Sequence, residues 1–247
     1  MKDEPLSPAT PLLSSVLDSL GREIISGKLK EGETFTLQTT GERFDISRTV
    51  AREAMRALEQ LGLVASSRRV GITVQPKSKW AVFDDKVIAW RLETDSERAS
   101  QLHSLTELRI GVEPVASYNA ALHATDEQRA ELKDLAAVMR QLGESVHGDS
   151  YEFLEADTRY HALILEASGN EMFAALAPTL NTALVGRTKS GLQPGKPNPQ
   201  ALDAHDKLAE AIASGNAEEA EQASLAVLER HTVASALEAV KNADSSG

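Results

Sequence analysis

The feature that most constrains the fold is one short segment that combines a polar turn, an arginine-rich edge and an apolar face. It reads FDISRTVAREAMRALEQLGLV and spans residues 44–64. Arg48, Arg52 and Arg56 follow one another at intervals of four residues, so they share one edge of a helix. The apolar face of the same helix comprises Ala51, Ala54, Leu58 and Leu61. Such a helix packs against a core and presents three guanidinium groups to an anionic partner.

The surrounding segments predict a helix-turn-helix followed by a hairpin wing. Asp45 can adopt the left-handed conformation of a tight turn before the arginine-rich helix. Ser47 is a suitable N-cap for that helix, and Gly62 ends it. The predicted elements are helices at 12–25, about 37–44 and about 48–61, and strands at 63–66 and 72–75.

Charge is distributed unevenly along the chain. The net charge is −11, yet residues 1–75 hold 10 basic and 10 acidic groups, while the remainder holds 16 and 27. A basic patch at one end of an acidic chain indicates an anionic partner such as nucleic acid. We therefore expect Arg48, Arg52 and Arg56 to reach base edges in the major groove of double-stranded DNA. Two wing-tip arginines suit phosphates or a minor groove, and these are Arg68 and Arg69.

Several classes of protein are disfavoured by composition. The chain has no Cys, which excludes disulfides, thiolate metal sites and a Cys nucleophile. No apolar run approaches the roughly 20 residues that span a bilayer. The N-terminal sequence MKDEPLSPATP also lacks the pattern of a signal peptide. We expect a cytoplasmic protein without membrane contact.

Residues 10–76 resemble the winged helix-turn-helix of the GntR family of bacterial transcription regulators. The motif comprises ISGKL at 25–29, Gly32, FDISRTVAREAM at 44–55, Leu58, LGLV at 61–64 and GITV at 71–74. The resemblance implies operator contacts by Arg48 and Arg52 and by the wing near Arg69–Gly71. The expected DNA-binding set is Gln38, Arg48, Thr49, Arg52, Arg56, Arg68, Arg69 and Gly71. The sequence departs from the family pattern at three positions. Gln38 stands where the family often has a basic residue, Thr40 where it usually has an apolar residue, and Asp45 where it usually has glycine.

Beyond Pro76 every segment up to about residue 240 has helical periodicity, without a strand signal. The predicted helices are 84–91, 97–122, 127–146, 151–167, 171–186, 200–214 and 217–240. The expected fold is mainly α, with an N-terminal winged helix-turn-helix and a C-terminal all-α helical bundle. The expected domains are a flexible tail at 1–11, a DNA-binding domain at 12–76, a linker with a short helix at 77–95, and an effector-binding and dimerisation domain at 96–242.

Four polar residues interrupt apolar stripes of the predicted bundle: Arg109, Asp157, His161 and His205. A buried charge or imidazole is costly unless it is paired or bound to a metal. Asp157 and His161 are one helical turn apart and can bind one divalent ion, to which His205 adds a third ligand.

Residues 96–240 resemble the helical ligand-binding domain of the FadR subgroup of GntR regulators, known as the FCD domain. The matching pieces are ExRxxxE at 107–113, DxxxH at 157–161, HxxxxxAI at 205–212 and NAxxA at 216–220. The resemblance implies a divalent metal such as Zn²⁺ on Asp157, His161 and His205. A fourth ligand falls on Val227, with His231 one turn away, so the site has three ligands, is re-formed with His231, or is absent.

The resemblance also implies a small carboxylate effector bound by the metal and by Arg109. The expected effector-binding set is Arg109, Glu113, His161, Arg187 and His205. The stretch WxxxDDxVIxW at 80–90 resembles members that respond to sugar acids such as gluconate or galactonate. The expected protein is therefore a homodimeric repressor that binds a short pseudo-palindromic operator and is released by an aldonate.

Three other functions remain open from the sequence. A metal-dependent enzyme acting on a small carboxylate would use the same three ligands, but the sequence offers no dedicated general base, glycine-rich phosphate loop or serine nucleophile motif. A regulator that responds to lactate, another organic acid or an acyl-CoA would differ from a sugar-acid regulator in the cavity that binds the effector. A DNA-binding protein whose bundle only dimerises would bind no carboxylate.

Overall fold

The computed structural model describes residues 9–68, 70–189, 191 and 195–228. The chain divides into two compact units, Met1–Gln101 and Leu102–Gly247. The first unit combines helices with a small sheet, and the second is helical throughout its described residues. This confirms the predicted fold class.

The first unit combines helices with a small antiparallel sheet. Its elements are α1 (Ala9–Ile25), β1 (Thr34–Phe35), α2 (Leu37–Phe44), α3 (Arg48–Gln60), β2 (Val64–Ser67), β3 (Gly71–Val74), a 3₁₀ turn (Lys77–Lys79) and α4 (Asp85–Glu93). The three strands pair in the order β1-β3-β2. Strand β1 was not predicted, because two residues are too short to show alternation.

The turn between α2 and α3 has the predicted chemistry. Asp45 is left-handed, with φ 50° and ψ 49°, and its backbone N–H donates to Gly41 O. The Ser47 side chain accepts from the Val50 N–H and caps α3. Thr40 is buried, and its hydroxyl donates to Thr36 O at 2.9 Å. These local bonds set the direction in which α3 leaves the turn.

A close backbone approach at Gly62 holds the wing against the following segment. Gly62 has a φ of 69°, and a Cβ atom there would lie 2.0 Å from Lys79 O. The Ala81 N–H also donates to Leu61 O at 2.9 Å. Any side chain at residue 62 would force these two backbone segments apart.

Residues 77–95, which the sequence suggested as a linker, carry a helix that packs into the core of the first unit. Val87 and Trp90 of α4 share that core with Leu20 and Leu58. A Cβ atom at Gly21 would lie 2.4 Å from the Trp90 ring, so α1 and α4 meet at a glycine. A spacing pattern cannot show this contact, because the two residues are distant in sequence.

The second unit is a helical bundle in which α7 packs against both α6 and α8. Helix α5 begins at Asp95, contains Pro114 and contributes its residues from 102 onward to this unit. The helices are α5 (Asp95–His123), α6 (Asp126–Glu144), α7 (Tyr151–Ala167), α8 (Glu171–Lys189) and α9 (Pro199–Ser214), followed by helical residues 217–228. The predicted helices are confirmed to within three residues, and the remainder of 217–240 lies outside the described residues.

Arg129 joins three helix ends in the second unit. Its guanidinium donates to Ala121 O at 2.9 Å, Ile212 O at 2.6 Å and Ala213 O at 2.8 Å, and its Nε donates to Ala124 O at 3.1 Å. These carbonyls belong to the last turns of α5 and α9, where backbone acceptors lack helical partners and a cation is favoured.

Among the described residues, no helix is both long enough and apolar enough to span a membrane.

Replacing Arg129 tests whether this cap holds the bundle together. We expect Arg129→Ala to lower the free energy of unfolding by about 2–3 kcal/mol, because several backbone carbonyls lose a charged donor. Arg129→Lys should recover only part of this loss, since an ammonium lacks the planar fork. Urea unfolding followed by circular dichroism measures the change.

Lys133→Ala is the matched control, because Lys133 makes only an exposed ion pair with Glu210. An Arg129→Ala midpoint equal to that of Lys133→Ala would contradict the cap.

Candidate functional site

The first candidate site is a basic groove on the first unit. Arg48, Arg52 and Arg56 are exposed on the outer edge of α3, while its buried face packs into the core. Thr49 is exposed beside Arg48 at the start of the helix. The groove between α2, α3 and the wing is lined by Gln38, Arg48, Arg52, Arg56, Arg68 and Gly71 among other residues. The structure therefore brings together most of the DNA-binding residues expected from the sequence; Arg69 lies outside the described residues.

The polar contacts in this groove are weak enough to be replaced by DNA. Arg56 Nη1 lies 2.9 Å from Glu53 Oε1, and both side chains are about half exposed or more. Gln38 Nε2 donates to Glu42 Oε1 at 2.9 Å, also on the surface. Exposed pairs of this kind contribute little stability, so a phosphate or base edge can compete for either donor.

Glu59 and Gly71 hold the wing in position. Glu59 Oε1 accepts the Ser66 N–H at 2.6 Å, which ties the end of α3 to β2. Gly71 has a φ of 96°, and a Cβ atom there would lie 2.9 Å from Phe35 O on β1. Glycine at this position is therefore required by strand pairing, whatever its contact with DNA. The role of Glu59 was missed, since an acidic residue on a basic helix gives no sequence signal for a strand contact.

The second candidate site is a buried polar centre in the second unit. Asp157 and His161 come from α7, and His205 comes from α9. Their exposed fractions are 3%, 1% and 4%. One ligand atom from each lies within 4.8 Å of the others, as the candidate metal ligands should. Helix α7 brings two of them inside because most of its length is buried.

The contacts of the two imidazole Nδ1 atoms favour a bound cation. His205 Nδ1 lies 2.8 Å from Ala201 O, and His161 Nδ1 lies 2.8 Å from Glu113 Oε2. Both partners are acceptors, so the proton of each neutral ring sits on Nδ1 and Nε2 carries the lone pair. The Nε2 atoms of His161 and His205 lie 3.4 and 3.7 Å from Asp157 Oδ1. Two lone pairs and a carboxylate oxygen facing one another fit a divalent metal such as Zn²⁺.

Glu113 is the link between the metal ligands and Arg109. Arg109 Nε lies 2.5 Å from Glu113 Oε1, and Arg109 Nη2 lies 3.3 Å from Glu113 Oε2. Burial opposes ionisation of Glu113, but Arg109 and His161 together lower its pKa to about 2. Glu113 is therefore a carboxylate that orients His161, an outer-shell role common around metal-bound histidines.

The two histidines differ in their electrostatic surroundings. Burial disfavours the charged form of His161, but the Glu113 carboxylate outweighs it and raises the His161 pKa. Burial lowers the pKa of His205. A metal therefore meets stronger competition from protons at His161 than at His205.

Tyr160 supports both imidazoles. Its hydroxyl donates to His205 O at 2.8 Å, and its ring meets the His161 and His205 rings edge to face at 5.6 and 5.5 Å. Tyr160 was not predicted as a site residue, because an aromatic residue on an apolar helical stripe is typical of a hydrophobic core.

The remaining predicted ligands do not complete the centre in the described part of the chain. Val227 is 1% exposed and belongs to the apolar core, where it offers no ligand atom. His231 lies outside the described residues. Arg187 lies on α8, but its side chain is also outside what is described.

Comparison with known proteins identifies a family for each of the two units. Residues 12–74 match the model for bacterial regulatory proteins of the gntR family, and residues 104–230 match the FCD domain. The chain is 31% identical over 223 residues to the galactonate operon transcriptional repressor of Escherichia coli strain K12, covering 88% of this chain and 93% of that protein. It is 28% identical over 212 residues to the HTH-type transcriptional regulator LutR of Bacillus subtilis strain 168, covering 83% and 92%.

A solved structure shows the same fold at lower identity. It is described as Lar, which controls expression of the Listeria monocytogenes agr system, and it covers 94% of this chain and 98% of its own. Its TM-score is 0.56 at 14% identity, which supports the fold alone.

A winged helix-turn-helix joined to a helical bundle with a buried polar centre defines a DNA-binding transcription regulator, not an enzyme. The chain belongs to the GntR family, in the FadR-type branch that carries an FCD domain.

Glu113 offers a direct test of whether the buried polar centre binds a metal. We expect Glu113→Gln to weaken Zn²⁺ binding by roughly 10- to 100-fold, because an amide holds the His161 Nδ1–H less strongly than a carboxylate. Competition with a chromophoric chelator at neutral pH measures the affinity.

Glu107→Gln on the same helix is the matched control, because the Glu107 side chain is 67% exposed. Equal affinities in the two variants would show that Glu113 does not orient a metal ligand.

Proposed function

We propose that this regulator is a homodimeric repressor whose operator binding is relieved by a small carboxylate, most simply a sugar acid such as gluconate or galactonate. The observation that carries the proposal is the buried centre, where Arg109, Glu113, Asp157, His161 and His205 meet inside a bundle joined to a basic groove. Operator DNA would bind the groove, the effector would bind the centre, and the protein would act in the cytoplasm, where its operator lies.

The groove supports sequence-specific reading of DNA. Arg48 and Arg52 lie at the exposed start of α3, the part of a recognition helix that reaches base edges. A guanidinium can bind guanine O6 and N7 with two hydrogen bonds. Arg56, Arg68 and Gln38 surround these residues and suit the phosphate backbone.

The centre supports recognition of a small anion. Asp157, His161 and His205 would hold a divalent metal, which when bound supplies a Lewis-acidic site for a carboxylate oxygen. Because Glu113 already contacts Nε and Nη2 of Arg109, an effector would approach Nη1 or displace part of this pair. The similarity to the galactonate operon repressor supports an aldonate as the effector.

An exposed apolar row on α5 supports the homodimer. Gly111, Val115, Tyr118 and Leu122 are spaced four, three and four residues apart, which is the spacing of a helix-pairing seam. Val115, Tyr118 and Leu122 are 45%, 36% and 53% exposed. Among the described residues, a Cβ atom built at Gly111 would meet nothing within 4 Å beyond its chain neighbours and the backbone of its own helix. A second copy seated on this row would give the two reading heads that a pseudo-palindrome needs.

Operator binding should require Arg52 and the second copy. A duplex selected from a random pool by the wild-type protein serves as operator. Arg52→Ala should bind it roughly 5- to 150-fold more weakly in a gel-shift titration, since a bidentate base contact contributes about 1–3 kcal/mol. Val115→Glu should sediment as a monomer and also bind weakly, because it places a charge in the seam.

Two matched controls accompany these variants. Lys30→Ala removes an exposed charge outside the groove, and Val138→Glu adds one at a 43% exposed valine of α6. Loss of binding in Lys30→Ala, or a dimeric Val115→Glu, would count against the assignment.

Sugar acids should stabilise the metal-loaded protein and release the operator. Binding to the folded state at 100 times the dissociation constant adds about 2.7 kcal/mol, which corresponds to a rise in melting temperature of roughly 5–10 °C. Thermal melting with D-gluconate, D-galactonate, L-lactate or an acyl-CoA, before and after EDTA, measures this. If only lactate or only the acyl-CoA raises the melting temperature, that compound replaces the aldonate as the proposed effector. If no compound raises it, the second unit serves only for dimerisation.

A further inference from the structure

One buried hydroxyl in the second unit has no hydrogen-bond partner among the described residues. Ser117 on α5 is 0% exposed, and its Oγ makes no bond to a described group. Two other helical hydroxyls donate to the carbonyl four residues earlier: Thr106 to Leu102 O at 2.8 Å on the same helix, and Thr158 to Leu154 O at 2.8 Å. Ser117 departs from this pattern.

An unsatisfied buried hydroxyl destabilises the folded state, because it has lost its water partners without gaining a new one. Proteins retain such a group where water or a ligand supplies the missing partner. Alanine would fill the position in an apolar bundle with less desolvation cost. A ligand bound at the polar centre is one such partner for Ser117.

The location of Ser117 indicates which partner. Arg109, Glu113 and Ser117 follow one another at four-residue intervals and are at most 3% exposed, so they form one buried row of α5. Side chains of a helix lean towards its N-terminus, which brings the Ser117 hydroxyl over the turn that carries Glu113. Ser117 thus extends the polar centre along α5, away from Arg109.

We propose that Ser117 is a specificity residue that hydrogen-bonds a hydroxyl group on the carbon chain of the effector. The inference rests on the proposed function, in which the metal and Arg109 take the carboxylate end. A serine hydroxyl can donate and accept, so it matches an alcohol, which does both. The site would then favour polyhydroxylated acids over unsubstituted acids of the same length.

The test compares wild type with Ser117→Ala, both loaded with Zn²⁺, by calorimetric titration with D-gluconate, D-galactonate and a series of monodeoxy gluconates. We expect Ser117→Ala to bind its best aldonate roughly 3- to 10-fold more weakly, the effect of one neutral hydrogen bond. One monodeoxy acid, lacking the hydroxyl that Ser117 contacts, should bind both proteins equally. Zn²⁺ affinity should be unchanged, which separates this effect from damage to the metal ligands.

Ser168→Ala is the matched control. Ser168 is 3% exposed, but its Oγ donates to Leu165 O at 2.7 Å and accepts from the Asn170 N–H at 3.2 Å. Ser168→Ala should lower the melting temperature by about 2–4 °C without changing the preference among acids, whereas Ser117→Ala without ligand should melt no lower than wild type.

Equal binding of every acid by wild type and Ser117→Ala would overturn the inference and leave a hydroxyl satisfied by buried water. A loss of melting temperature in Ser117→Ala like that of Ser168→Ala would also overturn it, since the hydroxyl would then hold the fold. If wild type binds no hydroxy acid, the proposed effector class fails and this inference fails with it. If wild type binds aldonates and only the Ser117 effect is missing, the proposed function stands.

Discussion

The second unit depends on placing ionised groups inside an apolar helical bundle without leaving any of them uncompensated. Arg109, Glu113, His161 and Asp157 are almost fully buried, and each lies within reach of the next. Removing one member of such a group exposes the others to the full cost of an isolated buried charge. The chain of contacts therefore acts as one unit, and it also turns Nε2 of His161 towards Asp157. Ligand binding can alter a site of this kind strongly, because every change in charge is felt in a low-dielectric interior.

The first unit solves a different problem, since its functional groups must stay exposed and still be held in position. The arginines of α3 contribute nothing to the core, so their placement comes from the backbone around them. Asp45 sets the entry to the helix, Gly62 its exit, and the Glu59–Ser66 bond attaches the wing. A backbone frame held by such contacts, with exposed charged side chains on it, suits a protein that must contact a phosphate backbone while keeping its base-reading helix in position.

Local chemistry explains which predictions were confirmed. Helix periodicity, caps and turn residues act over four residues or fewer, and they gave the helices of both units and the turn at Asp45. Asp157 and His161 were found for the same reason, because they are one turn apart on one helix. The two-residue strand β1, the packing of Trp90 on Gly21, and the Arg129 cap left no local pattern. The Arg129 contact to Ile212 spans 83 residues, and the Tyr160 contact to His205 spans 45.

By itself, the sequence determined the family, the two-part architecture, the basic edge of the reading helix and the identity of three candidate metal ligands. These follow from residue types at short, regular spacings. Tertiary structure decided that Glu113 stands between Arg109 and His161, that both imidazoles turn Nε2 towards Asp157, and that Ser117 keeps a hydroxyl without a partner among the described residues. Those facts depend on how α5, α7 and α9 are brought together, and the free energy that joins them is burial of apolar surface, which specifies no individual pair in the sequence.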